Sequence, residues 1–447
     1  MLIEFTVGNY RSFKEPQTLS MVAAPIRSRD KAVDLNNIIE TDGQPDLLSS
    51  AAIYGANASG KSNLIQALDF MRHFVQYSPR RTEGTGGIEV EPFRLSLKST
   101  TKPSFFEIAF IVDGTRHRYG FEVTQERVER EWLYFVPTTR EARLFERDGD
   151  RVEVGDYFPE GKDDLIGLTR PNSLFLSVVA QFNGRISQNL LNWFLRSLSI
   201  LSTGRTLGLG MSSGNRTIRY MENPTRAKEV SALIQRLDLG IRDIQMEEVV
   251  RQMPLFFDEE FSESDGGAER ARKGKERRER RITTIHTVHT LYDEEDQPAG
   301  EERFDLNEHE SEGTRRLFAI AGTLLDTLQH GRIMIVDELD AQLHPLMTRE
   351  LVRLFNDRET NPKGAQLIFA TQDTNLLDNT LFRRDQIWFV EKNRQGASNL
   401  YSLAEFKGIR NDLSLERNYI QGRFGAIPYL NFNKLQALMA EEYVEEA

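Results

Sequence analysis

Apolar positions along the chain fall into two spacings, and their order carries the first structural expectations. Met1-Leu2-Ile3-Glu4-Phe5-Thr6-Val7 has strand composition, and Asn9-Tyr10-Arg11-Ser12-Phe13 turns the chain into a second extended segment. Ala51-Ala52-Ile53-Tyr54 is a short apolar run stopped by Gly55, the pattern of a buried strand. The spacing then becomes helical, with Leu64, Leu68, Met71 and Val75 near one stripe. Between 105 and 123 strand composition returns on both sides of Asp113-Gly114, which predicts a hairpin. Further strands are expected over 131–136 and 143–147, with Asp148-Gly149 as a turn. From 174 to 239 the spacing is helical again (Leu190, Leu191, Phe194, Leu195 and Leu198, later Val230, Leu233, Ile234 and Leu237), which predicts an inserted helical subdomain.

Composition shifts abruptly near Asp258, where acids give way to Arg270, Arg272, Lys273, Lys275, Arg277, Arg278, Arg280 and Arg281. This stretch has almost nothing to bury, so a solvated, mobile loop is expected. Contact of the 270–281 cluster with nucleic acid or an acidic partner is the sharper alternative. Beyond it, 282–289 alternates like a strand and 317–328 returns to helix. Ile333-Met334-Ile335-Val336 and Gln366-Leu367-Ile368-Phe369-Ala370 are continuous apolar runs separated by a helix-like segment over Pro345–Asn356. Such a strand–helix–strand order implies a parallel sheet covered on both faces. The expected division is 1–160 and 282–447 for two parts of one α/β head, 161–257 for a helical insertion and 258–281 for the charged loop. No internal repeat or sustained heptad is visible.

The chain has 447 residues, room for two or three domains and a core that folds unaided. It has no cysteine, which removes disulfides, thiolate zinc sites, iron–sulfur clusters and cysteine nucleophiles, and fits a reducing compartment. No apolar run approaches the ~20 residues of a membrane span, and the first residues do not begin a signal peptide. A cytoplasmic protein without membrane partners is therefore expected. The net charge of −11 argues against a protein coated in nucleic acid, although an average hides local patches.

The chemistry concentrates in three places. Gly55-Ala56-Asn57-Ala58-Ser59-Gly60-Lys61-Ser62 fits G-x-x-x-x-G-K-[ST], between an expected strand and an expected helix. Its glycines let backbone N–H groups curl around a phosphate, Lys61 would reach the β- and γ-phosphates, and the Ser62 hydroxyl would ligate Mg²⁺. Asp337 ends an apolar strand, where a carboxylate holds Mg²⁺ through its water shell, and the adjacent Glu338 can polarise a water. Ser311-Glu312-Gly313-Thr314 precedes a helix beginning near Arg315 and offers either an ordinary N-cap or a second anion site. His286 and His289 point to opposite faces of a strand, so no metal site is expected there.

In this order the motifs resemble the ABC-type ATPases, specifically the branch holding the SMC, RecF and OLD-family heads. The resemblance implies an α/β ABC head, a mixed or parallel sheet flanked by helices with an N-terminal antiparallel β lobe and a helical insertion. It implies ATP and Mg²⁺ sandwiched between two heads in a homodimer or larger oligomer. Gly55, Asn57, Ser59, Gly60, Lys61, Ser62 and Asn63 would hold the nucleotide, with Arg11 of the Asn9–Phe13 turn near its phosphates. Ser311 and Gly313 would act in trans, Asp337 would be the Walker B aspartate, Glu338 the catalytic base and Asp340 the D-loop residue. Gln181 is the glutamine that the resemblance offers for the Q-loop beside the metal. Where the family commonly has a switch histidine, this chain has Gln372, which hydrogen-bonds but carries no positive charge. Slow hydrolysis, or ATP used as a conformational clamp, follows from that departure.

Pro171-Asn172-Ser173-Leu174-Phe175-Leu176, Leu237-Asp238-Leu239-Gly240-Ile241, Arg383-Arg384-Asp385-Gln386-Ile387-Trp388-Phe389 and Gly422-Arg423-Phe424-Gly425-Ala426-Ile427-Pro428 narrow the resemblance. They are similar to the stand-alone ATPases related to RloA and AbiLi, a group that includes the ATPase of the PARIS anti-phage system. That group implies abortive infection, a phage trigger protein and a separately encoded effector such as a RloB-like or TOPRIM-type nuclease. About sixty residues follow Trp388, too few for a further α/β domain of ordinary size, so the effector is expected on another chain. The alternative is a RecF-like DNA clamp, which would need a basic groove across the dimer.

Overall fold

The computed structural model describes residues 1–80, 87–201, 210–237, 240–253, 278–410 and 413–428. Along the chain, β1 (Leu2–Gly8) and β2 (Gln17–Ser20) precede helix α1 (Lys31–Asn37), the two-residue strands β3 (Ile38–Ile39) and β4 (Leu47–Leu48), β5 (Ser50–Tyr54) and helix α2 (Lys61–Tyr77). A meander follows: β6 (Ser104–Val112), β7 (Thr115–Val123), β8 (Val128–Val136), β9 (Ala142–Asp148) and β10 (Arg151–Val154). Helices α3 (Asp163–Leu168), α4 (Phe175–Gln181) and α5 (Arg185–Arg196) lead into β11 (Leu198–Leu201). Next come helices Gly210–Met221 and Pro224–Leu237, then β12 (Asp243–Met253), β13 (Arg278–Tyr292), β14 (Pro298–Asp305) and helix Glu312–His330. The chain ends its described part with β15 (Ile333–Val336), helix Pro345–Asn356, β16 (Gln366–Ala370), β17 (Ile387–Lys392), β18 (Ser398–Ser402) and helix Leu415–Ile420.

Two compact units result: Met1–Gly210 with Asp326–Ala447, and Met211–Leu325. The first is α/β, with two main sheets. One is antiparallel, in the order β10-β9-β8-β7-β6-β1-β2; the other runs β11-β15-β16-β5-β17-β18. In the second sheet β11, β15, β16, β5 and β17 are parallel neighbours, and β18 closes the edge antiparallel to β17. Every residue of β5, β15 and β16 is buried, as strands covered on both faces require. Helix α2 turns Leu64, Leu68, Met71 and Val75 into this core, and its Phe74 meets Phe121 of β7 edge-on at 5.4 Å. A chain entering from a parallel strand and leaving as a helix has its loop at the carboxyl end of the sheet, where α/β proteins place ligands.

The second unit combines helices with the antiparallel sheet β12-β13-β14. Thr217 donates to Phe318 O (2.9 Å) and accepts from Gly322 N (3.0 Å), tying helix Gly210–Met221 to helix Glu312–His330. Ser231 of helix Pro224–Leu237 donates to Asp243 of β12 at 2.6 Å.

The parallel sheet was expected, and the first compact unit gathers both ends of the chain, while the bounds of the units in the middle differ from the expected segments. The expected insertion over 161–257 overlaps the second unit only in part, because α3, α4 and α5 stay with the first. They stay because Leu174, Phe175, Leu190 and Phe194 join the core around α2. The first 44 residues of the expected second head segment, 282–325, fall in the second unit with β14, most of β13 and the first part of helix Glu312–His330. Most of the charged stretch at 258–281 lies outside the described residues; β13 already begins at Arg278. β11 was not expected at all: four residues, Leu198–Leu201, leave a helical pattern and pair with β15. Among the described residues no helix is long and apolar enough to cross a membrane.

Candidate functional site

The loop between β5 and α2 winds through three positive φ angles, at Gly55 (156°), Ala58 (61°) and Gly60 (119°). Two of these positions admit only glycine. A Cβ at Gly55 would stand 2.3 Å from Val390 O, and one at Gly60 would stand 2.4 Å from Ser398 Oγ. Asn57 and Ala58 form an exposed crest, whereas Ser59, Gly60 and Lys61 are buried. Gly60 is the N-cap of α2 and supplies no side chain to it, so the positive end of the helix dipole faces the loop. Ser59 Oγ is buried without a partner, a second polar group turned into the loop.

Lys61 is only 6% exposed and its Nζ donates to Gly55 O (2.6 Å) and Ala56 O (3.2 Å), bracing the loop from beneath. Burial pushes its pKa below the usual lysine value, against the pull of Asp337, Glu338 and Asp340. The same three carboxylates surround the lysine electrostatically, which places the strand-end acids at the loop. Asp337 is 1% exposed directly after β15, and its backbone N–H donates to Leu201 O at 2.8 Å. Its Oδ1 accepts the Ser62 hydroxyl at 3.1 Å. Glu338 is half-buried and takes a left-handed φ of 55°, which swings it out of the strand direction. Asp340 accepts from Gln372 N at 3.2 Å through Oδ2, while its Oδ1 is buried without a partner. Gln372 itself is exposed, two residues beyond β16.

The Asn9–Phe13 turn reaches the same loop. Arg11 and Asn9 both have left-handed φ angles (49° and 47°), and Tyr10 and Phe13 exchange backbone hydrogen bonds across the turn. Asn63 of α2 donates to Ser12 Oγ at 2.8 Å, so Arg11 stands beside the start of α2, its guanidinium paired to Glu91 at 2.9 Å. Lys61, Ser62, Asn63, Asp337, Glu338, Asp340, Gln372 and Arg11 thus share one neighbourhood within the first unit.

Three expected residues remain. Ser311 and Gly313 belong to the second unit, where Ser311 Oγ accepts from Thr314 N (3.1 Å) at the start of helix Glu312–His330. That helix begins three residues earlier than the expected Arg315, because Ser311 serves as its cap. Gln181 is exposed at the last turn of α4. Ser177, one turn before it, donates to Val75 O, roughly 21 Å along α2 from Lys61 at ~1.5 Å per residue.

Sequence reasoning missed the residues that hold the loop from outside. Ser398, at the start of β18, donates to Ser59 O and its N–H donates to Ser12 O at 2.7 Å. Serines separated by hundreds of positions carry no local signal, and a lone Ser398 in a Gly-Ala-Ser strand start resembles any turn. Among the described residues no three His, Cys, Asp or Glu side chains converge on one point as a metal site. A cation at Ser62 and Asp337 would therefore complete its shell with water and phosphate, the habit of Mg²⁺. His289 instead pairs with Glu310 at 2.7 Å.

A glycine-rich loop between a buried parallel strand and an uncapped helix, with a lysine and a hydroxyl–carboxylate pair beneath it, defines a P-loop α/β protein. The chain belongs to the family described as "AAA domain, putative AbiEii toxin, Type IV TA system", whose model matches residues 50–378. The match opens on the first residue of β5 and runs past Gln372, so it takes in the loop, Asp337, Glu338 and Asp340. No curated protein matches the chain. Among solved structures it is similar to an SMC head bound to the C-winged helix domain of ScpA, at 14% identity over 94% of this chain and 99% of that one, with a TM-score of 0.43. It is also similar to the recombination mediator protein RecF bound to ATP, at 13% identity over 90% of this chain and 97% of that one, with a TM-score of 0.34.

Proposed function

We propose that the chain is an ATP-hydrolysing head of the ABC type that dimerises around ATP and Mg²⁺ and controls a separately encoded toxin or nuclease in antiviral defence. The observation that carries the enzymatic part is the 3.1 Å bond between Ser62 and Asp337, with Glu338 next in the chain and turned aside by its φ of 55°. Gly55 and Gly60 leave a cradle that a Cβ would fill, and the uncapped end of α2 favours the phosphates. Lys61, drawn from its carbonyl partners, would bind the β- and γ-phosphates. Ser62 and Asp337 would hold Mg²⁺, which neutralises charge on the phosphate oxygens. Glu338 would orient and polarise the attacking water, and Gln372 would hydrogen-bond it without adding charge.

Ser311 and Gly313 of one copy would face the γ-phosphate held by another, an arrangement that makes dimerisation depend on ATP. Release or activation of the effector would then follow the change of nucleotide state. A toxin system named in the family's description is in keeping with the defence role. Glu338→Gln is the first test: ATP binding should persist, phosphate release should fall by roughly 10²–10³ and dimers should accumulate. Unchanged turnover would remove Glu338 from the mechanism. Mass spectrometry of tagged Glu338→Gln protein from infected and uninfected host cells tests the defence part. A stoichiometric nuclease bound in one state and lost in the other supports it, whereas DNA and repair proteins unchanged by infection favour a DNA clamp.

A further inference from the structure

Nine residues along β6 from the nucleotide loop, the first unit carries a cavity. Ser104 at the start of β6 donates to Asn9 O beside that loop, and the cavity opens at the other end of the strand, by Asp113. At ~3.3 Å per residue the two lie roughly 30 Å apart. The cavity measures about 610 Å³, within the range of small-molecule sites, and sits between the β6–β9 meander and α5.

Its walls have a definite chemistry. His117 is buried, with its ring inclined 27° to that of Phe135 and the centroids 6.3 Å apart. Its Nδ1 lies 3.0 Å from Thr115 O, so the ring proton sits there and Nε2 is left as an acceptor. Burial holds the imidazole pKa below its usual value, which keeps the ring neutral near pH 7. Tyr157 stands 58% exposed at the rim, edge-on to Phe135 at 5.3 Å. Arg185 is the one lysine or arginine among the lining residues, and among the described residues it enters no ion pair. The one lining acid, Asp113, already accepts from Asn189 at 2.8 Å.

We infer that this cavity is a second binding site, separate from the nucleotide loop, for a small planar ring that bears an N–H or O–H donor and one anionic group. The ring lies against Tyr157 and Phe135, its donor meets His117 Nε2, and its anion meets the Arg185 guanidinium. Nucleoside monophosphates and indole or phenol carboxylates share this chemistry. An anion rather than a cation is called for, because the cation at the rim lacks a partner while the acid has one.

Saturation-transfer NMR and calorimetry on the full chain test it, with AMP, UMP, indole-3-carboxylate and 4-hydroxybenzoate as probes. At least one probe should bind saturably, once per chain, and equally well to Lys61→Ala. Arg185→Ala and Tyr157→Ala should each weaken it about tenfold or more. Both side chains are exposed, so neither substitution threatens the fold. Preference for the monophosphates or for the carboxylates identifies the source of the ring. Saturable binding of none of the four, or binding that Lys61→Ala abolishes and Arg185→Ala spares, would overturn the site.

Discussion

The Ser62 hydroxyl donates to the Asp337 carboxylate at 3.1 Å, joining the first turn of α2 to the end of β15 across 275 positions of sequence. By the function proposed above, the two would share one cation. Asp337→Asn should therefore lower ATP turnover roughly a hundredfold, the scale of about 2.7 kcal/mol of lost charge stabilisation. Ser62→Ala should lower it less and shift its Mg²⁺ dependence to higher concentration. The double variant should be no slower than Asp337→Asn alone, because the two act on one ion. Phosphate release measured over a Mg²⁺ titration checks this; multiplicative losses would mean two separate roles.

Gly60 should be far less replaceable than another glycine with a positive φ. At Gly60 (φ 119°) a Cβ meets Ser398 Oγ at 2.4 Å and Ser12 Oγ at 2.8 Å, whereas at Gly114 (φ 73°) it meets nothing within 4 Å. Gly114→Ala should cost only the backbone strain, about 1 kcal/mol. Gly60→Ala should cost about 1–3 kcal/mol and displace the serines that hold the loop, weakening ATP binding as well. Urea unfolding and nucleotide binding on both variants decide the matter. Equal losses at the two positions would show that the Ser12–Ser398 contact yields freely.

The contrast between these serines and the loop they hold explains what the sequence displays and what it hides. β5, the phosphate loop and α2 are contiguous, as are β15, Asp337 and Glu338, so pattern and chemistry coincide in one stretch. The latch of Ser12, Ser59 and Ser398 depends on three distant segments meeting, and no local spacing encodes that. β11 escaped for a different reason. Leu198 continues the apolar stripe of α5, and four residues are too few to display a strand period of their own. Its place in the sheet comes from pairing with β15, a tertiary effect that overrides local spacing.

Glu131 is a buried carboxyl group of the first unit with a full set of partners. It is fully buried on β8, accepts from Phe175 N (2.6 Å), Leu176 N (3.0 Å) and Tyr119 OH (3.0 Å), and lies 3.9 Å from the buried Arg147. It thus serves as the missing N-terminal cap of α4 from across the sheet. Glu131→Ala would leave Arg147 buried with its charge uncompensated, and should cost about 3–5 kcal/mol of unfolding free energy. Glu131→Gln keeps an acceptor oxygen for the α4 amides and should cost less. Denaturant midpoints of the full chain test both, and a loss below about 1 kcal/mol for the alanine variant would show that water or a shifted α4 replaces the cap.

His117 should make the stability of the chain depend on pH in a direction fixed by its burial. Desolvation lowers its folded pKa from the usual 6.5, with Thr115 O and Asp113 opposing the shift. The unfolded chain therefore takes up a proton at this position more readily than the folded one as pH falls. The stability that neutral His117 contributes is fully present above about 6.5 and drains away below it, until the folded ring also protonates. Other groups titrate in the same interval, so the comparison must be made against a variant. His117→Phe keeps a ring beside Phe110 and Phe135 but cannot take up a proton. Urea midpoints at pH 7.5 and 5.5 should fall more steeply for the wild-type chain than for His117→Phe. Parallel falls would mean that burial does not depress the folded pKa of His117.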